Sequence, residues 1–366
     1  MQKSDRRFLF CATEPGGARE LCPIAAVAVQ RGISCRILCS PVTAPIFADA
    51  GLPTEQRAIS SCREAERELQ ENAIDMLIIG TTGKINSERH LTAAAKKRQI
   101  RSIAVLDEWY NYALRFWDEN EHIHDAYLPD VICAQDELSR DLAIQEGIPS
   151  AILHITGSPA LAELTTRAHT FTLHPPDAPD VLKAGKQCHS ILSLSEPLRA
   201  TYGAAPGERG TMGPYLGYQE DIARTDLAEI LSSMHGDFFV IEKLHPLEGV
   251  KPPPAVNDNV TWHMAMGSFA LWPLLWHVDL IIGMHTKALL EAAILGRRPI
   301  SYQPHAYAPE RCTAVRLKVA ELSVSREHLA GLLHEHLEKR TSDRQECLAF
   351  SFAHPGAAEK VLDLAG

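Results

Sequence analysis

Residues 278–302, VDLIIGMHTKALLEAAILGRRPISY, carry the strongest chemical signal in the chain. An apolar run closes at Gly283, the chain turns through His285, Thr286 and Lys287, and a helical pattern begins near Thr286. A helix starting directly after a buried strand presents free backbone N–H groups and the positive end of its dipole at the strand end, which suits a diphosphate. Thr286 can cap this helix and also donate to a phosphate oxygen. Glu291, about one and a half turns further on, is spaced to reach a ribose hydroxyl. A second group is Glu242-Lys243-Leu244-His245-Pro246, at the end of another apolar run. Lys243 and His245 alternate with Leu244, so both face one side of an extended strand, where they can hold a phosphate or assist a leaving group. Ser195 closes a further strand and joins the same binding group.

In the amino half, Glu14-Pro15-Gly16-Gly17-Ala18-Arg19 separates the first strand from the first helix. Gly16 and Gly17 permit close approach of the backbone, and Arg19 can meet a phosphate or carboxylate. The spacing is not GxGxxG, so NAD binding has little support. Gly80-Thr81-Thr82-Gly83-Lys84 is a second turn bounded by glycine, and Gly157-Ser158-Pro159 closes the half near the expected hinge. Asp107-Glu108-Trp109-Tyr110-Asn111-Tyr112, with Arg115 and Trp117, follows the apolar run 101–106. Two adjacent carboxylates cannot face one point from an extended strand. One can therefore act as a base while the other pairs with Arg115, and the aromatics can stack on a sugar or a nucleobase.

These residues need a scaffold of strand ends, and the pattern supplies one. Strands are expected at 7–12, 34–39, 73–80, 101–106, 130–134 and 152–156, with helices at 18–31, 44–50, 87–98 and 137–146. Strands that are apolar throughout and alternate with helices imply parallel sheets covered on both faces. Residues 172–186, rich in Pro and Asp, break the pattern and read as a linker. It restarts with strands at 190–195, 237–244, 260–263, 278–283 and 298–302. A Gly-rich loop is expected at 200–218, and helices within 218–235 and at 269–276, 286–295, 326–338 and 357–364. The expected fold class is α/β and GT-B-like: two Rossmann-like domains whose parallel sheets face an interdomain cleft. The domains are placed at 1–170 (acceptor side) and 189–345 (nucleotide side), joined by a linker at 171–188. The last segment, 346–366, packs back toward the first domain.

Composition excludes several classes. With 366 residues, 45% hydrophobic and 22% charged, the chain is an ordinary globular one rather than disordered or fibrous. The net charge of −10 with no long basic run argues against general nucleic-acid binding. No apolar run reaches the roughly 18 residues of a membrane span, and the start reads as a buried strand rather than a secretory signal. Nine scattered Cys without CxxC suit reduced thiols, and hence a cytoplasmic protein. HExxH, GxSxG and DxD motifs are absent from the sequence, so the expected chemistry needs no metal and no separate cofactor.

The order of a strand ending in His-Pro, a short strand, a helix, then DLIIG-turn-Thr-helix-LGRRPI resembles the carboxyl half of the GT-B superfamily. UDP-N-acetylglucosamine 2-epimerases and related nucleotide-sugar enzymes are members that it resembles. Residues 129–161, PDVICAQDELSRDLAIQEGIPSAILHITGSPAL, are similar to the epimerase stretch that leads into the linker. Those epimerases carry Gly-Asp-Thr, with a catalytic Asp, where this chain has Gly80-Thr81-Thr82. Their Ser-bearing phosphate turn corresponds to Gly283-Met284-His285-Thr286. The Lys-x-His-Pro element is also similar to bacterial sialyl- and polysialyltransferases. The resemblance implies a glycosyltransferase taking a sugar from a nucleotide donor such as a UDP-sugar to a small-molecule or glycan acceptor, with a homodimer left open. Asp107 or Glu108 is the expected base, and His245 serves the leaving phosphate. Lys243, Thr286 and Glu291 hold the nucleotide, while the acceptor lies near 14–19 and 107–115. The alternatives are a UDP-N-acetylhexosamine 2-epimerase or hydrolase, and a nucleotide-sugar-binding protein without catalysis.

Overall fold

The computed structural model describes residues 6–83, 86–185, 187–245, 247–265, 271–307, 310–338 and 350–366. Lys84, Lys186, Pro246, the start of the helix expected at 269–276 and residues 346–349 lie outside them. The chain forms two compact units, Met1–Thr166 with Ala349–Gly366, and Arg167–Leu348.

The first unit holds a seven-stranded sheet. Its strands are β1 (Arg7–Ala12), β2 (Ser34–Cys39), β3 (Glu55–Gln56), β4 (Met76–Ile79), β5 (Arg101–Val105), β6 (Val131–Ala134) and β7 (Leu153–Ile155). They are ordered β3-β2-β1-β4-β5-β6-β7, and every pair is parallel. Both faces are buried because both carry apolar side chains. Phe8, Phe10 and Ala12 pack with the helix Pro15–Gln30, whereas Leu9 and Cys11 pack with Leu69, Leu91 and Ala95 on the opposite face. The carboxyl-terminal helix Ala357–Leu364 joins the first of these faces through Ala358, Val361 and Leu362. Arg6 fastens its end, donating from Nη2 to the Ala365 carbonyl at 2.7 Å.

The second unit holds β8 (His189–Leu194), the short antiparallel hairpin of β9 (Arg209–Gly210) and β10 (Gly213–Pro214), β11 (Phe238–Lys243), β12 (Val260–Ala265), β13 (Leu280–Gly283), β14 (Ile300–Tyr302) and β15 (Glu321–Ser323). Six of them form a parallel sheet ordered β12-β11-β8-β13-β14-β15. Its core gathers Ile191, Val240, Ile282 and Ile300 with Leu227 and Leu231 of helix Glu220–Ser233 and Leu329 and Leu333 of helix Arg326–Glu338.

Each strand order reverses once. The chain builds outward from β1 to β3 and then restarts on the other side of β1 with β4. It does the same around β8, where β13 follows β12. In an open parallel sheet the crevice outside such a switch point is where ligands bind. Here the two switch points are the carboxyl ends of β1 and β4, and of β8 and β13.

The region expected to be the linker contains the end of helix Pro159–Leu173 and a 3-10 turn at Asp180–Gly185. The loop expected at 200–218 contains the β9–β10 hairpin, preceded by a short helix, Leu198–Tyr202. Among the described residues, no helix is long and apolar enough to cross a membrane.

Candidate functional site

At the β1/β4 switch point, the turn after β1 is packed against the ends of β4 and β5. A Cβ on Gly16 would lie 2.0 Å from Asp107 Oδ2, and one on Gly17 would lie 3.1 Å from the Gly80 Cα. A side chain at Gly16 would collide with the buried Asp107 carboxylate, and one at Gly17 would press on the Gly80 backbone, so the close approach these glycines permit is to the protein's own Asp107 and Gly80. Asp107 is the carboxylate that takes Arg115, with Nη1 donating to Oδ1 at 2.6 Å, both groups buried. Arg115 also donates to Thr81 Oγ1 and to the Asn111 carbonyl. Of the two adjacent acids, Glu108 is thus the half-buried one beyond that ion pair.

Glu14 is half-buried, and Thr82 Oγ1 donates to its Oε1 at 2.8 Å. Arg19 is likewise half-buried. Glu88 is fully buried and was not singled out from sequence. It accepts from Thr13 N at 2.6 Å and from Thr13 Oγ1 at 2.7 Å, and burial pushes its carboxyl up to about 7. Its place in a polar first helical turn, SERHL, is the ordinary signature of an N-terminal acid. Only the fold turns it inward. Arg89 is also buried, and its guanidinium donates to the carbonyls of Arg115, Trp117 and Leu114, clamping the 113–117 turn.

The aromatics expected to stack on a ligand are largely spent on packing. Trp109 and Tyr112 are fully buried; Trp109 Nε1 donates to Asp136, its ring meets Phe352 edge-on at 5.3 Å, and Tyr112 OH bonds Ser139. Ser158, expected to line a hinge, is buried and donates to Glu20 at 2.7 Å.

At the β8/β13 switch point the sequence expectation needs a larger correction. The helix after β13 is Ala288–Ile294, two residues later than expected, and Thr286 Oγ1 accepts from Ala288 N at 3.3 Å. The turn's N–H groups are not free. His285 N and Thr286 N donate to Glu196 Oε2 at 2.8 and 3.0 Å. Glu196 stands two residues past β8, is buried, and has its carboxyl pushed up to about 8 by burial, with the charge of Glu248 adding to the shift.

His285, expected to bind ligand, points inward. Its Nδ1 lies 3.0 Å from Tyr218 OH, and its ring is edge-on to Tyr202 and Tyr218. Burial, reinforced by Arg311, holds its pKa down to about 3, so a neutral imidazole stands 3.6 Å from Glu196 Oε1. Glu291, expected to reach a ribose hydroxyl, is buried and accepts from Trp272 Nε1 at 2.8 Å. Gly283 is tightly enclosed, since a Cβ there would meet Thr286 Cγ2 at 3.1 Å and Leu194 Cβ at 3.3 Å.

β11 ends at Lys243, so His245 lies beyond the strand and the shared-face argument stops short of it. Glu248 organises this turn, taking Ser195 Oγ at 2.8 Å on Oε1 and His245 N at 2.8 Å on Oε2. His245 Nδ1 accepts from Leu247 N at 3.2 Å. A ring nitrogen that accepts carries no hydrogen, so neutral His245 is protonated on Nε2 and can donate there. Burial, with Lys243 adding to it, lowers its pKa to about 4. At neutral pH it offers a hydrogen-bond donor rather than a charge. Lys243, Thr286 and Lys287 are half-buried. A small crevice lies at the same strand ends, lined by Ser195, Glu220, Arg224, Gly283, Met284 and Tyr302 among others. Among the described residues no group of His, Cys, Asp and Glu is arranged to hold a metal ion.

No protein-family model and no curated protein sequence matches the chain. Solved structures do. UDP-GlcNAc 2-epimerase from Methanocaldococcus jannaschii, in complex with UDP-GlcNAc and UDP, superposes with TM-score 0.63 at 15% identity, over 98% of this chain and 99% of that one. The Neisseria meningitidis UDP-GlcNAc 2-epimerase bound to UDP-GlcNAc gives 0.64 at 13% identity over 98% and 99%. Acinetobacter baumannii MurG gives 0.53 at 13% over 98% and 99%. The fold is therefore the GT-B class, shared with nucleotide-sugar epimerases and glycosyltransferases.

Proposed function

We propose that this protein is an enzyme of nucleotide-sugar chemistry, and that its reaction is epimerisation or hydrolysis of a UDP-N-acetylhexosamine. One observation carries the preference: the epimerase folds match nearly the whole chain with TM-scores of 0.63 and 0.64, above the 0.59 and 0.53 of the kitacinnamycin glycotransferase and MurG. In this reading the second unit recognises the nucleotide through Ser195, Lys243, His245, Gly283, Thr286 and Lys287. Neutral His245 donates from Nε2 to a phosphate oxygen, while Lys243 supplies charge. The first unit supplies proton transfer.

Inversion at a sugar carbon requires a proton to leave one face and return on the other, so groups able to change protonation must stand at the sugar. Glu14 and Glu108, half-buried at the ends of β1 and β5, are the candidates. Asp107 is assigned a positioning role, because its charge is answered by Arg115 and its carboxylate is pressed on Gly16.

Glycosyl transfer is the second reading, favoured by Thr81 standing where the epimerases that this chain resembles carry an aspartate. Incubation with UDP-GlcNAc in D2O, followed by proton NMR, separates the two. Loss of the C2 proton signal, with an epimer or free UDP, is the expected result. A donor unchanged until an acceptor is added, then converted to a glycoside without C2 exchange, would replace this reading by the transferase one.

A further inference from the structure

We propose that Glu248 is the positioning residue of His245: its side chain fixes the turn that decides which imidazole nitrogen carries the hydrogen and where that hydrogen is aimed. That it is aimed at a phosphate rests on the function proposed above; the positioning rests on the geometry.

His245 stands two residues beyond the end of β11, and the pairing of β11 with β8 and β12 ends before it. The loop that follows gives it little apolar anchorage, since Leu247 and Val250 are 59% and 76% exposed. Glu248, by contrast, has a side chain only 2% exposed. Three parts of the second unit meet on it. Ser195, directly after β8, donates its hydroxyl to Oε1 at 2.8 Å, and His245 N donates to Oε2 at 2.8 Å. Lys251 Nζ, 3.5 Å from Oε1, links it to Asp221 and Glu220 in the first turn of helix Glu220–Ser233, at 3.1 and 3.6 Å.

The backbone closes the same turn once more, with Glu248 N donating to the His245 carbonyl at 2.9 Å. Inside the closed turn, Leu247 N reaches His245 Nδ1 at 3.2 Å. That bond occupies the Nδ1 lone pair, leaves the hydrogen on Nε2 and fixes the ring plane. The tautomer of a histidine is set by the bond its other nitrogen makes, and here the partner is a backbone N–H held in place by the Glu248 tether. Without the tether, one backbone bond closes a turn in an exposed loop, an arrangement that opens readily and lets the imidazole exchange tautomers. The role needs the seat of the side chain more than its charge. A glutamine can turn its carbonyl oxygen to His245 N and its NH2 group to Ser195 Oγ, which accepts as well as donates.

The test compares wild type with Glu248→Ala, Glu248→Gln and Glu248→Asp, and with His245→Ala alone and combined with Glu248→Ala. Circular dichroism checks folding. Nitrogen NMR of protein labelled at histidine reads the tautomer at neutral pH, with His245→Ala identifying the resonance, and calorimetry reads UDP affinity. Wild type and Glu248→Gln should hold one tautomer, with the hydrogen on Nε2, and Glu248→Ala should show a mixture. UDP binding should weaken about tenfold in Glu248→Ala, the scale of one misplaced hydrogen bond to a charged group, and stay within about threefold of wild type in Glu248→Gln. Adding Glu248→Ala to His245→Ala should cost nothing further, because the effect travels through that ring. Should Glu248→Ala not fold, Glu248→Asp carries the test: it keeps the charge but is too short to span Ser195 and His245, and should also mix the tautomers. Mixed tautomers with no UDP binding by any form would uphold the positioning and reject only the nucleotide-sugar reading. An unmixed tautomer in folded Glu248→Ala, equal weakening in Glu248→Ala and Glu248→Gln, or a loss that adds to that of His245→Ala overturns the proposal.

Discussion

Asp107 and Glu108 are neighbours in sequence but differ in what surrounds them. Asp107 shares a buried ion pair with Arg115, and Gly16 leaves its carboxylate no spare room. Asp107→Asn should therefore lower stability, by about 3–5 kcal/mol if the Arg115 charge is left uncompensated, read as a shift in a denaturant melt. Glu108→Gln should leave the melt nearly unchanged and lower turnover by roughly 100- to 10,000-fold if Glu108 is a proton-transfer group. The pair of variants is decisive together. Equal loss of stability in both would remove the distinction, and full turnover in Glu108→Gln would move the role to Glu14. His245 gives a sharper spectroscopic test. With its pKa lowered to about 4, its ring resonances should stay flat from pH 8 down to about 5 and move only below that, whereas a titration near 6.5 would restore it as a cation.

The elements were readable from sequence where they bury apolar surface on both sides. The runs giving β1 and β2 and the helices Arg326–Glu338 and Ala357–Leu364 stand at the expected residues, and most other strands end within a few residues of expectation. The helix Cys62–Glu71 was not foreseen, because CREAERELQE offers only Ala65 and Leu69 to a core. It is held instead by Glu68, buried between Arg36 and Arg57, and by the Ser61 cap. Residues at strand ends could be located, but their partners could not. Glu196 for the β13 turn, Trp272 for Glu291 and Asp107 for Gly16 are separated from them by 19 to 91 residues, and no local pattern records such a pairing. Glu88 belongs to this class and allows a pH test. Its folded pKa is raised from 4.5 to about 7, so the folded state holds its proton where the unfolded chain releases it. The associated stability is fully present below pH 4.5 and is lost as pH rises through 7. Glu88→Gln, neutral at every pH, should match wild type at pH 4.5 and exceed it at pH 8 by on the order of 3 kcal/mol. A gap that narrows with rising pH would reverse the assignment.

Each unit carries its own core, and the first is completed by residues from the far end of the chain. Val361, Leu362 and Ala358 enter the cluster built on Phe8, Phe10, Leu21 and Ile24, while Phe352 meets Trp109, whose indole is tied to Asp136. About 180 residues of the second unit separate the two parts of that core in sequence, so the final helix closes a sheet begun at Arg7. Leu362→Ala removes a fully packed side chain and should cost about 2–5 kcal/mol. The loss should be local to the core it leaves. Hydrogen exchange should speed up in helix Pro15–Gln30 and in β1, which share contacts with Leu362. It should stay unchanged in β8 and β11, which pack on Leu227 and Leu329 instead. Faster exchange spread equally over both sheets would mean that the two cores unfold as one cooperative unit. No change in either would mean that the carboxyl-terminal helix contributes nothing to the sheet it covers.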